Sequence, residues 1–462
     1  MKKLSFVFLF IFCFIGSFIG SFFIPQITTI ESMQASPPDF SNLTYSIDLD
    51  NIAKKPVYLR MTSDIRNDLV SKKESFLEVN FPTMEIRLYR EGVLAKKFPI
   101  LAIGDPQEWG GSPLGLYEVM SGNENSFSTT SRVYMPYALR YYGKYYIHGE
   151  PYYQNGEKFI SSATGGCIRV EDKYAKEIYE SVEVNIPVLV IGKEKERYQY
   201  INTNKKLLAF PEVSADAYLI SDLDSGFVFA EKNSEKQLPI ASLTKLMTAV
   251  VVAENIALKS SILVRAEMLE PYGFTPVLKC GKRFGVVELF YPLLIESSND
   301  AAEVLSHFLG RIKTIEMMNE KAKAILMEKT KFVDPHGLGL ENVSTARGIF
   351  QLGRYIFNAR PLLLNITRSE EVRDFREIGF DVEELSNKNI FIDEPNFVGG
   401  KGGYLLKSKY TAISIFKFLT SDEEIRNIVI VLLKSEDREK DIREMYKWLL
   451  ENYSLSPSPL NF

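Results

Sequence analysis

The hydrophobic period of this chain changes once, and that change separates two kinds of core. From Phe76 to Ile191 apolar residues come in short β-type runs parted by turns: 76–80, 85–89, 98–103, 116–120, 145–149 and 187–191. A turn at Glu91 and Gly92 and a cluster at Gly110, Gly111, Pro113 and Gly115 punctuate them. From Tyr218 the texture differs: strand-like runs at 218–222 and 227–231 precede helical periods at 242–255, 286–310 and 313–329. Runs at 411–418 and 427–433 then lead to a closing helix at 441–453. The pattern predicts an all-β domain over 74–193 followed by an α+β domain over 212–455. Residues 194–211, opening on a Lys-Glu-Lys-Glu-Arg stretch, read as a solvated linker.

The amino end belongs to neither core. Lys2 and Lys3 precede a stretch from Leu4 to Ile30 without a charge, and eight of the 31 Phe residues fall between Phe6 and Phe23. About 20 apolar residues suit a single N-terminal apolar helix that spans a membrane, though Gly16, Ser17, Gly20 and Ser21 leave cleavage open. Residues 1–31 are therefore expected to be a signal anchor or signal peptide, and 32–73 a stalk of unknown structure. With the basic end held inside, the rest lies outside the cytoplasmic membrane.

Beyond that segment the composition is ordinary, with 45% hydrophobic and 25% charged residues, which excludes a disordered, collagen-like or multi-span chain. The net charge of -4 offers nothing built to hold nucleic acid. Only Cys167 and Cys280 lie outside the apolar terminus, too few for a disulfide framework, and a free thiol in an exported chain is a candidate reactive group. Cys280 reads as a buried thiol.

His148 and Gly149 are followed, after fifteen residues counted from His148, by Thr164, Gly165, Gly166, Cys167, Ile168 and Arg169. A thiol needs a base, and imidazole is the usual one. Adjacent glycines let the backbone bring N–H groups to a carbonyl, and Arg169 can raise thiolate character or hold a substrate carboxylate. A lone Cys or His is more often structural; the set points to a nucleophile.

The stretch 74–193 resembles the L,D-transpeptidase catalytic domain, through His148, Thr164, Gly166, Cys167, Ile168 and Arg169 and through "EVNFPTMEIRLYREGVLAKKFPI" and "GSPLGLYEV". The resemblance implies a Cys167 nucleophile with His148 as base and the Gly149 carbonyl orienting its ring, with Gly166 and Arg169 beside the substrate. Gly165 stands where that family usually has a second His.

In "PIASLTKLMTAVVVAEN", Ser242 lies three residues before Lys245 at the start of a helical period, which puts both on one helical face. A lysine of lowered pKa can activate a serine, although an isolated S-x-x-K is common and Ser242 alone could be a cap. Ser297, Ser298 and Asn299 give S-x-N, and Lys401, Gly402 and Gly403 stand where Lys-Thr-Gly would follow. This set resembles the low-molecular-mass penicillin-binding D-alanyl-D-alanine carboxypeptidases over about 215–450. It implies that Ser242 is acylated, Lys245 is its base, Ser297 relays protons, Asn299 binds the substrate amide and Lys401, beside Gly403, meets the terminal carboxylate. Gly402 replaces a hydroxyl, a loss worth about 1.5–3 kcal/mol, so Gly402→Thr is expected to raise activity.

Together the resemblances imply a bifunctional peptidoglycan enzyme of the bacterial cell envelope, exported and anchored in the cytoplasmic membrane. Its partners would be stem peptides, with β-lactams as inhibitors, and it needs no metal or cofactor. D,D-carboxypeptidase trimming of pentapeptide stems would supply tetrapeptide donors for L,D-transpeptidation through the third stem residue. Two alternatives stand: a degenerate serine domain that only binds stem peptides, and a cysteine site that hydrolyses its acyl-enzyme. Substrate logic needs no contact between the domains, so separated domains are expected to keep the same order of steps.

Overall fold

The computed structural model describes residues 57–460, apart from 163, 204–206, 272, 274 and 373–377. The apolar terminus and most of the expected stalk lie outside the described residues, and among those described no helix is long and apolar enough to cross a membrane. The last part of the stalk carries α1 (Thr62–Ser71), which buries Ile65 and Leu69, one turn apart, against Phe76, Tyr89 and Leu189. Asp64 satisfies the helix entry by accepting from Met61 N at 2.8 Å.

Two sheets make the first domain. In one, β1 (Phe76–Asn80), β2 (Glu85–Arg90), β3 (Val93–Pro99), β4 (Gly115–Glu118) and β9 (Pro187–Ile191) run in the order β3-β2-β1-β9-β4. The other holds β5 (Ser121–Ser128), β6 (Val133–Tyr142), β7 (Tyr145–His148) and β8 (Ile168–Arg169) in sequence order. Strand β1 is covered on both faces: Leu77 and Val79 enter one core, Phe76 another, and the fully buried Glu78 is held by Arg66 and Arg87.

Two expectations for this domain need correction. It is not all-β, because α2 (Asp172–Ser181) packs on β6; Tyr174, Ala175, Ile178 and Tyr179 face the core at helical spacing, a period that the all-β reading leaves out. The run expected at 98–103 begins at Val93 instead, since Glu91 and Gly92 both take positive φ and make a two-residue turn, and edge strand β3 buries only Phe98. The β5–β6 hairpin escapes sequence reading because β5 is polar and exposed.

The second domain is α+β, as the pattern predicts. A sheet of β10 (Ala217–Asp222), β11 (Val228–Lys232), β16 (Phe397–Leu405), β17 (Lys409–Thr420) and β18 (Ile425–Ser435) runs β11-β10-β18-β17-β16, with β19 (Leu455–Pro457) on β17. Two short antiparallel pairs join β12 (Leu238–Pro239) to β15 (Val343–Ser344) and β13 (Ser261–Leu263) to β14 (Arg283–Gly285). Helix α3 (Thr244–Asn255) is buried from Thr244 through Glu254, the mark of a central helix. The expected helix at 286–310 is broken into α4 (Val286–Leu294) and α5 (Asn299–Ser306). Ser297 sits in the break at φ 64°, and Ser298 caps α5 by accepting from Ala301 N at 2.9 Å. The remaining helices are α6 (Arg311–Ala324), α7 (Ala346–Ala359), α8 (Pro361–Thr367) and α9 (Arg438–Asn452).

Among its described residues the connecting segment is irregular and mostly exposed, but side chains along it tie it to the body. Glu194 accepts from the amides of Thr62 (2.9 Å) and Ser63 (3.2 Å) and pairs with Arg354 at 2.6 Å, while Tyr200 is buried against Phe227 and Phe229. All of Pro56–Phe462 forms a single unit. Between its halves lies a buried polar junction. Glu254 at the end of α3 pairs with Lys321 of α6 (2.8 Å) and with Arg360 (3.1 Å). Lys321 donates to Tyr117 of the first domain at 2.8 Å, and Arg360 donates to the Gly111 carbonyl at 2.6 Å and to the Tyr145 hydroxyl at 3.3 Å. The domains also share apolar contacts, Ala324 entering the core of the first and Trp109 that of the second.

Removing the anion of a buried triad leaves two cations uncompensated, a loss of about 3–5 kcal/mol. Glu254→Ala should lower the urea midpoint accordingly, and the wild type should unfold in one transition by probes in either domain. Two separate wild-type transitions would show that the junction does not unite the domains.

Candidate active sites

The cysteine site grows out of the parallel pairing of β7 with β8, which sets His148 opposite Arg169 and puts Cys167 at the entrance of β8. The loop before it is closed by Thr164, whose hydroxyl donates to the Cys167 carbonyl at 2.5 Å and accepts from Gly166 N at 3.1 Å. Gly166 has φ 110°, and a Cβ there would run into the Tyr145 ring, so glycine is required twice over. A Cβ on Gly165 meets nothing within 4 Å, so the departure there leaves open space and no broken packing.

His148 is buried, and its Nδ1 lies 2.6 Å from the Gly149 carbonyl. With Nδ1–H donating, Nε2 keeps the free lone pair. Burial pulls the imidazole down to about 4, against the Gly149 hydrogen bond, and Arg169 lowers it further. Burial likewise pushes the half-buried Cys167 thiol up to about 11, opposed by a backbone hydrogen bond from Tyr146 and by Lys144 and Arg169. At neutral pH the pair is thus thiol and imidazole, not thiolate and imidazolium, and the base must take the proton as attack occurs. Both residues line a cavity of about 450 Å³ together with Lys144, Tyr146 and Arg169. Lys144 is a residue the sequence reading missed: its ammonium donates to the Ile256 carbonyl at the end of α3 at 2.9 Å, and burial lowers it to about 8. Cys280, expected to be buried, is exposed.

The serine site gathers residues from five segments. Ser242 stands in a short 3-10 turn, Ala241–Leu243, ahead of α3, and Lys245 in the first turn of that helix. The Lys245 ammonium reaches Ser242 Oγ at 2.9 Å, Asn299 Oδ1 at 2.7 Å and the His336 carbonyl at 2.6 Å. Burial lowers Lys245 to about 7, with Asp334 opposing the shift, so near neutral pH its unprotonated form can accept the Ser242 proton. Asp334 itself lies well below the usual carboxylate range: burial works against that, but His336 and the amides of Gly337 and Gly339 outweigh it.

From β16, Lys401 donates to Ser297 Oγ at 2.7 Å and to the Gly402 carbonyl at 2.9 Å. Burial drives Lys401 well below its ordinary value, aided by Lys245 and Arg438. A Cβ on Gly403 would lie 2.6 Å from Ser242 N, so this glycine lets the strand backbone close on the nucleophile. Gly402 differs from expectation. A side chain there would overlap the guanidinium of Arg438, a residue that lies ahead of the helix expected at 441–453 and that the sequence reading does not single out. No metal-type cluster of His, Cys, Asp or Glu occurs among the described residues.

Residues 203–435 match the D-alanyl-D-alanine carboxypeptidase family model, half of the whole chain. The chain belongs to that family. Ahead of it, residues 74–190 match the L,D-transpeptidase catalytic domain. This carboxypeptidase-family chain is 34% identical over 145 residues to a D-alanyl-D-alanine endopeptidase of Pseudomonas aeruginosa, 30% of this chain and 47% of that protein. It is 28% identical over 207 residues to D-alanyl-D-alanine carboxypeptidase DacB2 of Mycobacterium tuberculosis, 44% of this chain and 70% of that protein. The chain spans about half the length of the first curated relatives it matches, at 47% of each. Among solved structures, a D-alanyl-D-alanine carboxypeptidase from Mycobacterium tuberculosis aligns at 25% identity and TM-score 0.48, covering 55% of this chain and 98% of that one.

The two sites should respond differently to pH and substitution. Acylation of Ser242 by a penicillin should fall about tenfold per pH unit below about 7, as Lys245 becomes protonated, and level off above it. A rate that is flat down to pH 5 would remove Lys245 as base. His148→Ala should slow carbapenem acylation of Cys167 by about 10²–10⁴-fold, measured by intact mass, whereas Cys280→Ser should leave it unchanged. Undiminished acylation without His148 would sink the pairing.

Proposed function

We propose that this chain is a bifunctional peptidoglycan enzyme: a serine-type D,D-carboxypeptidase and a cysteine L,D-transpeptidase on one body. The observation that carries the proposal is that each nucleophile has its own base beside it: Lys245 2.9 Å from Ser242 Oγ, and His148 sharing a cavity with Cys167. In the serine step, neutral Lys245 takes the Ser242 proton as Oγ attacks the carbonyl before the terminal D-Ala. The tetrahedral carbon collapses, the D-Ala amine leaves with a proton, and water releases a tetrapeptide stem and regenerates Ser242. Ser297, bonded to Lys401, is placed to relay protons, and Asn299 to hold the substrate amide.

In the cysteine step, His148 Nε2 removes the thiol proton as Cys167 attacks the carbonyl of the third stem residue. The fourth residue leaves as D-Ala, and an amine of a second stem takes the acyl group. Stem peptides are the partners, and β-lactams acylate either nucleophile in their place. The position is the cell envelope, with residues 1–31 as anchor or export signal. The rival, a serine domain that binds stems without turnover, draws on Gly402 alone; the lowered Lys245 pKa and its bond to Ser242 argue for turnover.

The order of steps gives the test. Supplied only with pentapeptide stems and an acceptor, the wild type should form third-residue cross-links, and Ser242→Ala should form few until tetrapeptide is added. Cys167→Ala should accumulate trimmed tetrapeptide without cross-links. Chromatography with mass detection reads all three. If Ser242→Ala links pentapeptide stems at the wild-type rate, the serine domain does not feed the cysteine domain and the bifunctional proposal is abandoned.

A further inference from the structure

Strands β6 and β7 are joined by Gly143 and Lys144, a two-residue turn closed by Tyr142 opposite Tyr145. That turn is seated on the end of α3 in the second domain. Gly143 has φ 47°, and a Cβ there would lie 2.0 Å from Asn255 Oδ1. Asn255 Nδ2 donates to the Tyr142 hydroxyl at 3.3 Å, and the Lys144 ammonium donates to the Ile256 carbonyl at 2.9 Å. The same turn also touches the cysteine site. The Cys167 thiol donates to the Lys144 carbonyl at 3.9 Å, and Lys144 lines the cavity of about 450 Å³ with His148, Cys167 and Arg169. A cation at a helix C-terminus is a favourable cap, which accounts for the bond to Ile256 but not for a place in the wall of the cavity that holds the nucleophile. Burial brings Lys144 down to about 8; of the charged groups that face it, Arg360 adds to that shift, and Glu254 and Cys167 oppose it. In return Lys144, with Arg169, favours the thiolate form of Cys167.

We propose that Lys144 is a positioning residue for the cysteine reaction and that the serine domain supplies it: the end of α3 holds the turn so that an ammonium stands by the sulfur as the thiol proton passes to His148. The negative charge that sulfur gains in that step then meets a cation already in place. The consequence is a division of labour. Residues of the first domain line the cavity and carry the chemistry, while the second domain fixes part of its electrostatics. The arrangement has a signature in pH: below about 8 Lys144 is charged and favours thiolate, and above that value the charge and the gain are lost together.

The inference rests on the L,D-transpeptidase reading, and alkylation separates the two, because iodoacetamide needs neither peptide nor β-lactam. In the full chain carrying Cys280→Ser, alkylation of Cys167 is followed by intact mass from about pH 6 to about pH 10. Thiolate rises tenfold per pH unit below the thiol midpoint, so the rate in Lys144→Met should climb by about tenfold per unit throughout. With Lys144 present the rate should start about three- to tenfold higher and flatten across about pH 8, as the ammonium loses its proton. Lys144→Arg should start as high and not flatten, because guanidinium keeps its charge, and should overtake the wild type above about pH 9. Gly143→Val, which drives the turn away from Asn255, should follow Lys144→Met. A wild-type profile in Lys144→Met overturns the inference, as does an equal fall at every pH in Lys144→Met and Lys144→Arg, which would mark a structural turn. A wild-type profile in Gly143→Val overturns the part given to the serine domain. A chain that shows the expected alkylation profiles but takes no carbapenem on Cys167 overturns the transpeptidase reading instead.

Discussion

Everything in this molecule hangs from the carboxylate of Glu254. It is fully buried, it ends the helix whose first turn carries Lys245, and it holds Lys321 and Arg360 in place. A carboxylate in such surroundings is tolerable only with its cations, and the cations only with it. Lys321 is further surrounded by the rings of Tyr117, Tyr142 and Tyr355, at 5.3, 4.4 and 4.1 Å, two of them from the first domain. Arg360 touches Tyr145, the ring that lies under Gly166 beside the Cys167 thiol. One helix therefore sets the base of the serine site at its start and supports the floor of the cysteine site at its end. The nine helical steps from Lys245 to Glu254 span about 13 Å of backbone.

Burial acts on the two proposed nucleophile–base pairs in opposite ways. In the serine site burial brings a lysine down to about 7, where it is a competent base and already bonded to its hydroxyl. In the cysteine site burial moves base and nucleophile apart, imidazole to about 4 and thiol to about 11, so a resting ion pair is disfavoured. Cys280, by contrast, is exposed.

What was legible in the sequence was the chemistry written as short strings. Ser242 with Lys245, Ser297 with Asn299, Lys401 with Gly403, and His148 with the Gly166–Cys167–Arg169 run fall within the two stretches that the family models match. What was not legible depends on contacts distant in the chain. Lys321, reading as a charged helix position, is buried because Glu254 lies 67 residues earlier and Tyr117 204 residues earlier. Strand β5 buries too few side chains to leave a period, whereas α2 carries one in Tyr174, Ala175, Ile178 and Tyr179 that is short enough to pass for a turn between strands. The break between α4 and α5 looked like continuous helix because its apolar spacing runs on through the loop that presents Ser297. Gly402 is the sharpest case: read alone it is a missing hydroxyl, and only the fold shows that Arg438, 36 residues on, occupies the space.

The distribution of charge carries the argument one step further. A chain of net charge -4 has no excess of cations to spend, yet both sites gather basic side chains: Lys144 and Arg169 beside Cys167, and Lys245, Lys401 and Arg438 around Ser242. Each is partly stripped of water, and Lys144, Lys245, Lys401 and Arg438 are shifted toward neutrality as a result. That is a standing cost to stability, which folding alone would remove by supplying carboxylates, as it does for Lys321 with Glu254. An anionic ligand relieves it, so the free energy withheld from folding becomes available to binding.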